Sequence, residues 1–80
     1  MTLDITLDCR KSLAELHTQL AQELSFPVWY GNNLDALHDC LTSLMLPVTI
    51  HLQAAEQQPK LLRVLLDSAA ENDDLKITLE

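Results

Sequence analysis

"TLDITLD", residues 2–8, alternates strictly, with Leu3, Ile5 and Leu7 on one side and Thr2, Asp4, Thr6 and Asp8 on the other. Successive side chains of a strand point to opposite faces, so this pattern predicts a strand with one face buried and one in water. It returns in "VTIHL" (48–52) and "LKITL" (75–79). Strands covered on both faces read instead as continuous apolar runs. Three alternating strands therefore predict a sheet covered on one face only.

The segments between the strands read as helices. "SLAELHTQLAQEL" (12–24) opens with Ser12 and Glu15 at capping-box spacing and repeats leucine at 13, 16, 20 and 24. Pro27 disfavours helical geometry at Phe26, so this helix should end near Ser25. After the loop "SFPVWYG", Asn32 or Asn33 can cap a second helix with a stripe of Leu34, Leu37, Leu41 and Leu44, stopped by Pro47. The third, "KLLRVLLDSAAEN" (60–72), sets Leu61, Leu62, Leu65, Leu66 and Ala69 on one arc. Gly31, the sole glycine, is expected in a backbone conformation that other residues resist.

The order β-α-α-β-α-β, with strands separated by helices, points to a parallel sheet with right-handed crossovers. If the strands lie side by side in chain order, every helix falls on the same face. The expected fold is α/β and two-layered: a three-stranded parallel sheet with helices packed on one face. Eighty residues suffice for one small domain, spanning 1–80, whose stability rests on tidy packing.

Composition narrows the function. The chain is 48% hydrophobic and 21% charged, as a globular protein is, and no apolar run approaches the ~20 residues that span a bilayer. No secretion signal opens it, so Cys9 and Cys40 are expected as free thiols in a reducing, cytoplasmic setting. The net charge is −7, and the Lys and Arg residues are Arg10, Lys11, Lys60, Arg63 and Lys76. None lies from Ser12 through Pro59, a stretch that holds Glu15, Glu23, Asp35, Asp39 and Glu56. Such a middle cannot supply the cationic footprint nucleic acid needs, and instead favours encounter with a basic partner. Neither nucleic acid nor membrane is an expected partner.

"WYGNNLDALHDCL" (29–41) carries the densest signal. Asp35 and Asp39 are four residues apart and therefore neighbours on one helix face, with Thr42 beside them and the leucines opposite. Two like charges at this spacing cost a helix about 0.2–0.5 kcal/mol. Asp35 falls in the first turn, where the helix dipole favours an anion, but Asp39 does not. One reading is a solvated face with two tolerated acids. The other is a carboxylate pair whose counter-charge arrives on another molecule. Trp29 and Tyr30 strengthen the second, since aromatic anchors are enriched at protein interfaces. Tyr30 is the better candidate to pack on the core.

"PVWYGNNLDALHDCLTSL" (27–44) closely resembles the signature of the barstar family, small intracellular protein inhibitors of microbial ribonucleases. The resemblance extends over the element order to the ending "DDLKITLE" (73–80). It implies a non-enzymatic protein without a cofactor or metal, a monomer when free, whose loop and second helix plug the active site of a small basic ribonuclease. Carboxylates then stand where substrate phosphates would. Asp39 resembles the central phosphate mimic and Asp35 the neighbouring acid. Trp29 occupies an aromatic contact position, Gly31 and Asn33 the tight loop, Leu34 the helix start, and Thr42 and Leu44 the flank. The acid on the family's last helix aligns with Asp67, which equally reads as an i,i+4 partner of Arg63. The best-studied member has a tryptophan where this chain has Leu44, an aromatic at His38 and a glycine at Ser43.

Two other functions compete. The scaffold could serve as an interaction module for a basic protein that is not a ribonuclease, a reading Leu44 favours. An enzyme or metal site on His38, Asp39 and Cys40, with His17 or His51, fits poorly, because consecutive helical residues point in different directions and no nucleophile–base arrangement accompanies them.

Overall fold

The computed structural model describes residues 2–27 and 30–80. Its elements run β1 (Leu3–Asp8), α1 (Leu13–Glu23), α2 (Leu34–Thr42), β2 (Val48–Gln53), a short 3-10 turn (Ala55–Gln57), α3 (Pro59–Glu71) and β3 (Leu75–Leu79). The strands form one parallel sheet in the order β1-β2-β3. Register stacks the apolar residues in rows across it: Leu3–Val48–Leu75, Ile5–Ile50–Ile77 and Leu7–Leu52–Leu79. The opposite face carries Asp4–Thr49–Lys76 and Thr6–His51–Thr78.

This one-sided burial is what the alternation predicts. Ile5, Leu7, Val48, Ile50 and Leu52 are buried under Leu16 and Leu20 of α1, Leu37 and Leu41 of α2, and Leu61 and Leu65 of α3. On the open face His51 lies between Thr78 Oγ1, 2.7 Å from its Nδ1, and Asp4 Oδ1, 3.2 Å from its Nε2. Cys9 and Cys40 are free and buried. Burial pushes both thiols above their ordinary range, with the acids Asp8 and Asp39 respectively adding to the shift.

Helix ends follow local chemistry. Ser12 Oγ accepts from the Glu15 amide at 3.2 Å, the first half of the expected capping box. α1 gives way at Leu24, Ser25 turns left-handed (φ 54°), and the Phe26 amide returns to the Ala21 carbonyl at 3.0 Å. That is a Schellman-type stop built on a serine. α3 starts on Pro59, whose missing N–H is no loss in a first turn.

Three expectations need correction. Gly31 does not adopt a positive φ; among the described residues the left-handed ones are Ser25, Asn32 and Ala54. The loop turns at Asn32, a residue type that tolerates this region, and the space at Gly31 is bounded by Asn33 Nδ2, 3.1 Å from where a Cβ would sit. α2 ends at Thr42, short of Leu44: the Leu44 amide turns back to the Leu41 carbonyl at 3.3 Å, and the Asn72 side chain takes up the Leu41 and Leu44 carbonyls that a longer helix would use itself. Leu44 still packs on the core from outside the helix. Leu66 lies off the buried arc of α3 and is 46% exposed.

Candidate partner-binding site

α2 is the element that displays the acidic pair. Asn33 caps it, its Oδ1 accepting from the Ala36 amide at 2.7 Å, so of the two asparagines the second is the cap. Asp35 follows in the first turn and Asp39 one turn later; both are exposed, while Leu37, Cys40 and Leu41 are buried on the other side. Among the described residues no ion pair involves Asp35, Asp39 or Asp67. Arg63 and Asp67 therefore do not form the i,i+4 pair that was one reading of Asp67.

The supports of this face come from distant parts of the chain. Tyr30 packs edge-on against Phe26 with ring centroids 4.9 Å apart, and its hydroxyl meets His17 Nδ1. Burial holds His17 below its ordinary pKa, so the ring is neutral near pH 7 and its Nδ1 accepts from the phenol. Burial, with Cys40 adding to it, pushes the Tyr30 hydroxyl up to about 12. The phenol is therefore a lasting donor, and the loop is pinned to α1. Tyr30 is half-buried on the core, as its sequence position suggests.

At the other end of α2, Asn72 Nδ2 donates to the Leu41 carbonyl at 2.9 Å and to the Leu44 carbonyl at 3.1 Å. Between these anchors His38 Nε2 lies 2.5 Å from Glu71 Oε2, tying α2 to α3. Glu71 thus brings a third carboxylate beside the pair, with Asp67 one turn earlier on the same flank of α3. Glu71 and Asn72 were missed as site residues. Their partners lie 33 and 31 positions away, so no spacing rule points to them.

The expected site residues are spread over the loop, α2 and α3. Gly31 and Asn33 are exposed and Leu34 half-buried, clustered at the start of α2; Asp35 and Asp39 follow on its exposed face. Thr42 is half-buried with its hydroxyl spent on the His38 carbonyl at 2.9 Å, and Leu44 is half-buried on the core. Asp67 is exposed on α3. Trp29 lies outside the described residues. A cleft of about 250 Å³ separates the loop after α1 from the end of α2, with Leu24, Phe26, Pro27 and Leu44 facing Asp39 and Ser43. Among the described residues no cluster of three or more His, Cys, Asp or Glu could hold a metal ion, and no helix is long and apolar enough to cross a membrane.

The sequence pattern of the family described as Barstar (barnase inhibitor) matches residues 1–78. The chain belongs to the barstar family. It is also 36% identical over 80 residues to a Bacillus subtilis (strain 168) protein named "Putative ribonuclease inhibitor YrdF", an alignment covering 88% of each chain. The three-stranded parallel sheet with its helices in β-α-α-β-α-β order is the barstar-like arrangement the sequence implied.

Proposed function

We propose that this barstar-family protein is a non-catalytic inhibitor of a small basic ribonuclease, blocking the enzyme's active site with the loop and α2. The observation that carries this reading is the exposed pair Asp35 and Asp39 in a stretch with no Lys or Arg from Ser12 through Pro59. A free protein gains nothing from two neighbouring like charges on a helix, whereas a cationic active site recovers their cost on binding. Membership of the family and the name of the Bacillus subtilis relative support a ribonuclease as the partner.

Asp39 takes the central position against the nuclease cations, and Asp35 the neighbouring one. Gly31, Asn33 and Leu34 form the loop edge of the contact, Trp29 its aromatic anchor, and Thr42 and Leu44 its far flank, with Asp67 contributing from α3. The cleft beside Asp39 has apolar walls and one carboxylate, which suits a partner side chain with a cationic head on an apolar stem. Charge complementarity speeds association and makes it salt-sensitive.

The test is titration into a small guanyl-preferring bacterial ribonuclease, following RNA cleavage at low and high salt with Asp39→Ala beside it. Tight, salt-sensitive inhibition should weaken by about 2–5 kcal/mol in the variant, the usual cost of truncating a buried interfacial charge pair; the best-known complex of this family contributes to that range. A loss below about 1 kcal/mol removes Asp39 from the centre of the site. No inhibition by correctly folded protein would favour the second reading, a module for another basic protein. Leu44 is the observation behind that alternative, because it replaces a large aromatic on the binding flank.

A further inference from the structure

The sheet has two edges, and they are protected differently. On β1, Gln19 of α1 donates to the outward Thr6 carbonyl at 2.9 Å. On β3, the Val48 amide bonds to the Asp74 carbonyl and the Glu80 amide to the Leu52 carbonyl, so even-numbered residues face β2. In a parallel ladder the intervening residues face away. Ile77 and Leu79 therefore direct N–H and C=O outward, and among the described residues nothing pairs with them. Leu79 is 61% exposed. Glu71 marks the flank of α3 that faces α2, which leaves Leu62, Leu66 and Ala69 on the opposite flank. An unpaired edge with apolar side chains is a template for another strand.

We propose that β3 pairs antiparallel with β3 of a second copy of this chain, giving a two-fold dimer with a continuous six-stranded sheet. The side chains select the register. With Ile77 opposite Leu79 of the second copy, the outward groups of both strands exchange four backbone hydrogen bonds. On the helix-covered face, Ile77 and Leu79 then meet in two apolar pairs. On the open face Lys76 lies opposite Glu80 of the second copy, twice, with the two Thr78 residues between them. Shifting the register so that Ile77 faces its own equivalent sets Glu80 against Asp74, an acid–acid pair, and leaves Lys76 against Thr78. The edge is thus self-complementary in one register and repulsive in the adjacent one. Asp35 and Asp39 lie on α2, on the other side of α3, and stay open to a partner. On this proposal the free protein is a dimer, where the sequence leads to the expectation of a monomer.

Sedimentation equilibrium over a concentration series up to about 1 mM tests this. The native protein should approach twice its 9.0 kDa chain mass as concentration rises. Lys76→Glu should shift it to the monomer, with an unchanged far-UV circular dichroism spectrum confirming the fold and a urea midpoint matching that of the native protein only at dilutions where both are monomeric. The double variant Lys76→Glu, Glu80→Lys restores opposite charges across the two-fold and should restore the dimer. A native protein that stays monomeric throughout, or a dimer indifferent to Lys76→Glu, overturns the proposal. Failure of the double variant to reassociate overturns the register.

Discussion

Replacing Asn72 with alanine should destabilise the protein by about 2–3 kcal/mol. Its amide nitrogen donates to the Leu41 and Leu44 carbonyls at 2.9 and 3.1 Å, both part-buried, and its Oδ1 accepts from the Asp74 amide at 3.0 Å on the surface. A typical intramolecular hydrogen bond contributes about 0.5–1.5 kcal/mol net. Two part-buried bonds at mid-range and an exposed one at the low end give the stated loss. At about 0.05–0.15 kcal/mol per residue a chain of this length has on the order of 4–12 kcal/mol in all, so the change is large. Urea unfolding followed by circular dichroism measures it, with an expected fall in melting temperature of about 4–8 °C per kcal/mol. Asn72→Asp sharpens the test. It preserves shape and the acceptor for Asp74 but turns a carboxylate oxygen toward two carbonyl oxygens. At pH 7 it should be at least as damaging as alanine, and it should recover as pH falls through the raised folded pKa, with the recovery complete below about pH 4, the ordinary aspartate value. A loss under about 0.5 kcal/mol for alanine, or a well-tolerated aspartate, would refute the reasoning that this side chain fastens α2 to the turn before β3.

Other residues give shorter tests. Asn33→Ala removes the 2.7 Å cap on the Ala36 amide and should cost about 1 kcal/mol in urea unfolding, while Asn33→Asp, which keeps an acceptor, should cost little. Because burial lowers the His17 pKa from its ordinary 6.5, the unfolded chain takes up this proton more readily. Its contribution is full above pH 6.5 and is lost as pH falls through the lower folded pKa; His17→Gln should flatten that part of the stability profile. Ala54 sits left-handed at φ 53°, a region costing roughly 1–2 kcal/mol for a residue with a Cβ. Ala54→Gly should therefore stabilise by a few tenths to about 1 kcal/mol, after the greater freedom glycine gives the unfolded chain is deducted.

The fold was legible because its main signals are local. Alternation in 2–8, 48–52 and 75–79 identifies the strands and the buried face, and leucine spacing locates the helices. The sequence leaves strand order open; the structure supplies it as β1-β2-β3. What escaped reading depends on tertiary placement. Composition points to Gly31 for the left-handed turn, yet Asn32, Ser25 and Ala54 take that region, because the directions of the flanking elements decide where the chain must reverse. α2 ends at Thr42, five residues before Pro47, where the distant Asn72 side chain takes up the Leu41 and Leu44 carbonyls. In the site, the acidic pair on α2 is visible as a spacing. The links His17–Tyr30, His38–Glu71 and Asn72–Leu41 join residues that sequence separates and only the packed helices bring together.

α2 has nine residues, too few to be a stable helix alone in water, and it packs mainly on α3. Its rigidity is supplied by the cap at Asn33, the link through His38 and the two carbonyls held by Asn72. Within that frame Asp39 is the residue that fits folding least, since it repels Asp35 and has no ion pair among the described residues. Stability and binding should therefore separate by position. Asp39→Ala should raise unfolding stability by about 0.2–0.5 kcal/mol, the size of the relieved i,i+4 repulsion, while weakening partner binding severalfold more in energy. Asn72→Ala should lower both, because it loosens the helix that aims the carboxylates. Paired urea unfolding and inhibition titrations on the two variants measure this directly. A clear loss of stability in Asp39→Ala would mean its carboxylate serves the fold, and would remove the physical reason for assigning it to a partner's cations.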